Sequence, residues 1–120
     1  MAKLQSALLL AAMALVGCAT PASLREAGSS LEFTSAKSAN AVSICITDRW
    51  ENINILGATA PVNMRPIENG FSVALRNEAW GKTDLLVDIT DTGRGSQSKY
   101  YRSMDIAVSR YTTAVAECQK

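Results

Sequence analysis

Two stretches of this chain repeat their apolar residues at helical spacing, and each stripe includes a cysteine. Val42, Cys45, Ile46, Trp50 and Ile53 fall at offsets 0, 3, 4, 8 and 11, with Arg49 at the margin of the stripe. Met104, Ala107, Val108, Tyr111, Val115 and Cys118 fall at offsets 0, 3, 4, 7, 11 and 14. Both patterns define one face of a helix of 3.6 residues per turn. Ser38 and Ser103 stand where N-caps belong. Asp105 in the first turn and Lys120 at the end of the second stretch suit the helix dipole. Gly57 lies near the expected stop of the first helix.

Between these helices the period changes to two. Val62 and Met64 alternate with polar residues, then Phe71, Val73 and Leu75, then Leu85, Val87 and Ile89. Alternation of this kind marks strands with one buried face. Asn69-Gly70 predicts a tight hairpin with both residues at positive φ. Pro66 has no amide to donate, so its strand belongs at an edge or a bulge. Asn77 to Thr83 reads as a loop, Asp91 to Gly95 as a turn, and Ser96 to Arg102 as the returning strand. Glu32 to Ala36 fits a short additional strand. The expected fold is α+β, with an antiparallel sheet of about four strands and both helices packed on one face.

The N-terminus has a different character. Met1 to Lys3 is short and basic, and Leu4 to Val16 is almost entirely apolar. At 1.5 Å per residue that run reaches only about 20 Å, short of the roughly 30 Å hydrocarbon core of a bilayer. The pattern is that of a secretory signal peptide. Leu15-Val16-Gly17-Cys18 then resembles the lipobox of bacterial lipoproteins. The resemblance covers residues 1–18. It implies cleavage after residue 17, acylation of Cys18, and a membrane anchor on the periplasmic side. In that family an aspartate after the cysteine favours retention in the inner membrane. Ala19 here implies the outer membrane, with the domain on its periplasmic face. The mature domain resembles small uncharacterised Gram-negative lipoproteins.

The division that follows is residues 1–17 as signal peptide, 18–32 as lipidated cysteine and flexible tether, and 33–120 as a small periplasmic α+β domain. The tether, rich in Ala, Ser, Gly and Pro, would span about 20 Å as a coil. A short helix over Pro21–Ala27 is the other reading, since Pro suits the first helical turn. The chain has three cysteines. With Cys18 given to lipid, Cys45 and Cys118 remain in an oxidising compartment, where a disulfide is the natural pairing and two reduced core thiols the alternative. That bond would join the two helices.

Charge gives no lead to a partner. Loss of Lys3 with the signal peptide brings the 12 basic residues level with the 11 acidic ones. Such a balance offers no footprint for nucleic acid. The absence of histidine removes the commonest general base and metal ligand, and no cofactor or metal is expected. Asp84, Asp88 and Asp91 lack the spacing of a calcium loop. Asp91-Thr92-Gly93 is similar to the active-site tripeptide of aspartic proteases. The apolar-apolar-Gly segment of those enzymes follows their catalytic loop, whereas Ile55-Leu56-Gly57 precedes it here, and Asp-Thr-Gly also suits a hairpin turn. Gly93-Arg94-Gly95-Ser96 lacks the spacing and lysine of a phosphate loop.

The expected function is therefore non-enzymatic. The protein would be a membrane-anchored envelope accessory, inhibitor or exclusion factor that works through contact with a protein partner. A small carboxylate-dependent hydrolase using Asp88 and Asp91 is the alternative. Trp80 in a polar loop, Tyr101 beside Tyr100, and Arg94 in a glycine-flanked turn are the candidate partner-binding residues.

Overall fold

The computed structural model describes residues 19–103 and 109–120. The expected signal peptide, Cys18, and Met104, Asp105, Ala107 and Val108 of the last expected helix lie outside the described residues. In chain order the elements are α1 (Pro21–Ala27), β1 (Leu31–Ser35), α2 (Ala39–Glu51), β2 (Val62–Ile67), β3 (Gly70–Asn77), β4 (Lys82–Asp91), β5 (Ser96–Arg102) and α3 (Ser109–Cys118). The fold is α+β. Five antiparallel strands form one sheet in the order β1-β5-β4-β3-β2.

The strand beyond the expected four is β1, which pairs with β5 from Leu31↔Tyr100 to Ser35↔Ser96. Its five residues are too few to show a convincing alternation. At the opposite edge is β2, as the missing amide of Pro66 requires.

Alternation along the strands sorts the sheet into two faces. Val73, Leu75, Leu85, Val87, Ile89 and Tyr100 are buried on one of them. They share a core with Val42, Ile46 and Trp50 of α2 and with Tyr111, Val115 and Cys118 of α3. Ser38 caps α2 by accepting from the Ala41 amide at 3.1 Å. The helix ends at Glu51, before Ile53 and well before Gly57. Trp50 is fully buried, donates its indole N–H to the Tyr111 carbonyl at 3.1 Å, and meets the Tyr111 ring edge-on at 5.8 Å. The helix start that Ser103 is expected to cap lies outside the described residues, but Ser103 itself is placed. Its hydroxyl donates to the Thr83 and Asp84 carbonyls, at 3.0 and 3.1 Å.

The two helices are joined by the Cys45–Cys118 disulfide, with Cα atoms 5.7 Å apart. Arg49 of α2 pairs with Glu117 of α3 beside it.

The hairpin between β2 and β3 differs in detail from its expected form. Ile67 pairs with Gly70, so the two turn residues are Glu68 and Asn69, and Asn69 takes the positive φ of 61°. Gly70 is already in the strand. It stands there because a Cβ would lie 1.8 Å from the Ile89 carbonyl oxygen. The twin-glycine turn after β4 has a similar cause: a Cβ at Gly95, whose φ is 154°, would lie 2.0 Å from the Ser35 carbonyl oxygen, where β1 closes on β5.

Of the two readings of the segment Ala19–Leu31, a flexible coil or one holding a short helix, the structure has the helix. Pro21–Ala27 is a helix, packed on the face of the sheet opposite α2 and α3. Thr20 and Ser23 form a reciprocal capping box, with Ser23 N–H donating to Thr20 Oγ1 at 3.1 Å and Thr20 N–H to Ser23 Oγ at 2.8 Å. Leu24 is buried against Ala74, Leu86 and Tyr101. The sheet is thus covered on both faces, by three helices among the described residues. None of these helices is long and apolar enough to cross a membrane.

Two measurements test this packing. Cys45 and Cys118 are 73 residues apart in sequence, and a loop of that size is worth about 4 kcal/mol on the chain-entropy account. The double variant Cys45→Ser/Cys118→Ser should lose stability of that order in urea unfolding, with an unchanged midpoint counting against the bond's role. Burial raises the Tyr100 phenol above its ordinary value of 10.0, only partly offset by its hydrogen bond with Thr112 and by Arg102. The folded state then holds the proton more tightly than the unfolded chain. Its contribution is complete below about pH 10 and is lost as the pH rises through the raised value. Unfolding midpoints should fall on the alkaline side, and fall less in Tyr100→Phe.

Candidate functional site

The face of the sheet under α1 is only part covered. Asn63 and Arg65 of β2 point to it, opposite Ala74 and Ser72 of β3, and Arg76 follows two residues after Ala74. In β4 the same phase brings Leu86 opposite Ala74 and Asp88 opposite Ser72. Leu24 sits on the apolar part of this surface. Arg25, one residue on, reaches the polar part. Its Nε donates to Asp88 Oδ2 at 2.7 Å, and its Nη2 to Asp88 Oδ1 at 2.9 Å and to Ser72 Oγ at 3.3 Å. The paired geometry fixes both planar groups. The hydrogen bond to Asp88 is also the main reason the Arg25 guanidinium is held above its ordinary pKa, so the pair stays charged on the arginine side at any working pH.

Since α1 lies over β4 and β5, a groove remains between it and the edge strand β2. Its volume is about 280 Å³, and Pro21, Arg25, Arg65, Ser72, Arg76 and Leu86 are among its walls. Arg65 and Arg76 are exposed and take part in no ion pair with any described residue. Arg65 stands opposite Ser72, and Arg76 is four residues further along that strand, about 13 Å away at ordinary strand rise. The polar groups that remain open here, Arg65, Arg76 and the amide of Asn63, are mainly donors. Such a groove suits an extended ligand bearing carboxylates or phosphates, which arginine binds through its fork of N–H groups. A second hollow of about 470 Å³ lies between α2 and α3, walled by Arg49, Ile53, Arg110 and Glu117, but it is shallow and the Arg49–Glu117 pair occupies its polar part.

The three candidate contact residues do not gather into one site. Trp80 is 73% exposed, in the turn between β3 and β4. Arg94 lies in the turn between β4 and β5, at the other end of β4. Ten residues of strand separate them, about 30 Å. Tyr101 does face away from the main core, but α1 covers it and leaves it 7% exposed.

The carboxylates are likewise apart. Asp88 is held by Arg25 on the α1 face, whereas Asp91 accepts from the Ala39 amide at 2.9 Å, at the start of α2 on the other face. They share no proton and no cavity. Thr92 N–H donates to the Gly95 carbonyl at 3.0 Å, so Asp91-Thr92-Gly93 opens a closed hairpin turn. No cluster of three or more metal-ligating side chains occurs among the described residues.

The groove was not expected from sequence. Its arginines come from separate strands, and only the polar phase of the strands, Asn63-x-Arg65 and Ser72-x-x-x-Arg76, carried a trace of it. Leu24, the residue that docks α1, was hidden in a segment of low-complexity composition.

No known protein family, curated protein or solved structure matches this chain.

The docking of α1 is testable alone. Arg25 is 39% exposed at its side chain, so solvent screens the pair and Arg25→Ala should cost about 1 kcal/mol. Hydrogen exchange should speed up at amides 24–28 and change little in β3 and β4. Unchanged exchange at 24–28 would show that Leu24 alone holds the helix.

Proposed function

We propose that this protein is a lipid-anchored, periplasm-facing accessory of the outer membrane that acts by contact with another envelope component rather than by catalysis. The observation that carries the compartment is the Cys45–Cys118 disulfide. A bond of this kind persists where the milieu is oxidising, which agrees with an export signal ending in the Leu15-Val16-Gly17-Cys18 lipobox. The contact surface that best fits the geometry is the groove between α1 and β2. Its open donors, Arg65, Arg76 and Asn63, suit an acidic segment of a protein partner. An inhibitor or exclusion factor is a protein of this kind, with a rigid domain presenting one charged groove.

Two experiments test the reading. Cys18→Ala should abolish incorporation of labelled palmitate and leave the precursor uncleaved, and label retained in that variant would refute the anchor. Cross-linking in intact envelopes should capture a partner with the unaltered protein and lose it with Arg65→Ser/Arg76→Ser, both exposed positions that the fold does not need. A partner captured equally by both proteins would move the contact surface elsewhere.

A further inference from the structure

The start of the described chain is fixed to one end of the sheet. The Ala19 carbonyl accepts from the Thr83 amide at 2.8 Å, and the capping box of α1 follows immediately. Cys18 is one peptide bond away, with its Cα about 3.8 Å from that of Ala19. The proposed anchor therefore has no slack. An acylated Cys18 would hold this end of the domain at the headgroups.

The two most exposed large apolar side chains lie at the same end. Four large apolar side chains are exposed among the described residues: Leu31, Ile44, Leu56 and Trp80. Trp80 is three residues from Thr83, so its Cα lies within about 20 Å of that of Cys18 even at full extension. Leu31 pairs with Tyr100, which pairs with Val87, so it stands midway along the sheet rather than at this end. Leu56 lies in the connection from α2 to β2, which enters β2 at this end, where the Arg76 amide donates to the Pro61 carbonyl. Arg110 at the start of α3 donates to the Asn54 carbonyl at 3.0 Å and holds that connection in place. Leu31 and Ile44, the latter midway along α2, are elsewhere.

Leu56 is the more informative of the two at this end. It is fully exposed and has a φ of 54°, at the tip of a turn closed by reciprocal bonds between Ile55 and Ala58. A leucine gains nothing in water from that conformation, which bulky residues rarely adopt. The opposite end of the sheet has polar turns, Glu68-Asn69 and Thr92 to Gly95, and none of the exposed large apolar side chains.

We infer that the end of the domain bearing Trp80 and Leu56 is seated in the lipid interface beside the acylated Cys18, so that the domain stands on the membrane in one fixed orientation. The inference rests on the lipid-anchor reading. Tryptophan favours the headgroup level, where an amphipathic ring has both an apolar and a wet side. Arg76, Lys82 and Arg110 surround this end and can extend toward headgroups. Glu51 and Glu78 share the rim, so the charge is mixed, and apolar contact rather than attraction to anionic lipid sets the orientation.

The test uses the full-length lipidated protein in phosphatidylcholine vesicles. Trp50 is fully buried, so the difference between the protein and its Trp80→Phe variant reports Trp80 alone. Trp80 emission should shift to the blue on vesicle binding, lose intensity with brominated acyl chains, and resist acrylamide. In the Trp80→Phe background, Leu56→Trp should respond to brominated lipid and Thr92→Trp should not. If the protein floats with the vesicles while Trp80 stays open to acrylamide and blind to bromine, the orientation is overturned and the anchor stands. If the protein carries no acyl chain and does not float, both fall.

Discussion

The covalent bond between α2 and α3 is the interaction on which this fold most depends. A domain of about a hundred residues buries only a modest share of its surface, and its net stability is of order 5–15 kcal/mol. Here the first and last helices of the main core are far apart in sequence, and the Cys45–Cys118 bond removes that separation from the unfolded ensemble. It also holds the helices in one register on the sheet, with Trp50 against Tyr111 and Arg49 against Glu117. The chain end is tied in by the same arrangement, since Ser35 Oγ donates to the Gln119 carbonyl at 2.6 Å. The edge strand β1 and the C-terminus thus support each other only while α3 is in place.

Much of this architecture was legible in the sequence because it follows from periodicity. The stripe from Val42 to Trp50 and the alternation of Leu85, Val87 and Ile89 each bury one face, and a single core is where those faces meet. Pro66 marked its own strand as an edge. What could not be read was whatever depends on pairing at a distance. Asn69-Gly70 indicated a hairpin, but the turn falls one residue earlier because Gly70 is needed in the strand, close to the Ile89 carbonyl. The helix Pro21–Ala27 was legible only as an alternative, on the position of Pro21, because two turns with a single buried residue, Leu24, have no period to detect. Its partners, Asp88 and Ser72, are some fifty to sixty positions downstream. For the same reason Tyr101 looked available for contact: the alternation placed it correctly on the outer face, and nothing local showed what covers it.

The ordered α1 changes how an anchored domain of this kind would behave. A flexible coil after Cys18 would let the domain sample many orientations. With Ala19 bonded to Thr83 and Leu24 packed on the sheet, the orientation of a domain anchored at Cys18 would become a property of the fold. The groove beside α1 then extends from Arg76, at the end nearest Cys18, toward Ile67 at the other. It would stand along the membrane normal and be open to components lying in or just above the outer membrane. The Arg25–Asp88 pair links these features, because it fixes the helix that both begins beside the proposed anchor and forms one wall of the groove.

The central claim is that this is an exported, acylated domain whose fold is closed by one disulfide. Intact-mass spectrometry of the protein extracted from envelopes in detergent, and treated with iodoacetamide without reductant, tests it most directly. The account predicts one species that begins at Cys18, carries acyl chains, is two hydrogens lighter than the reduced chain, and takes up no iodoacetamide. An unacylated chain that retains residues before Cys18, or an acylated one alkylated at Cys45 and Cys118, would contradict it.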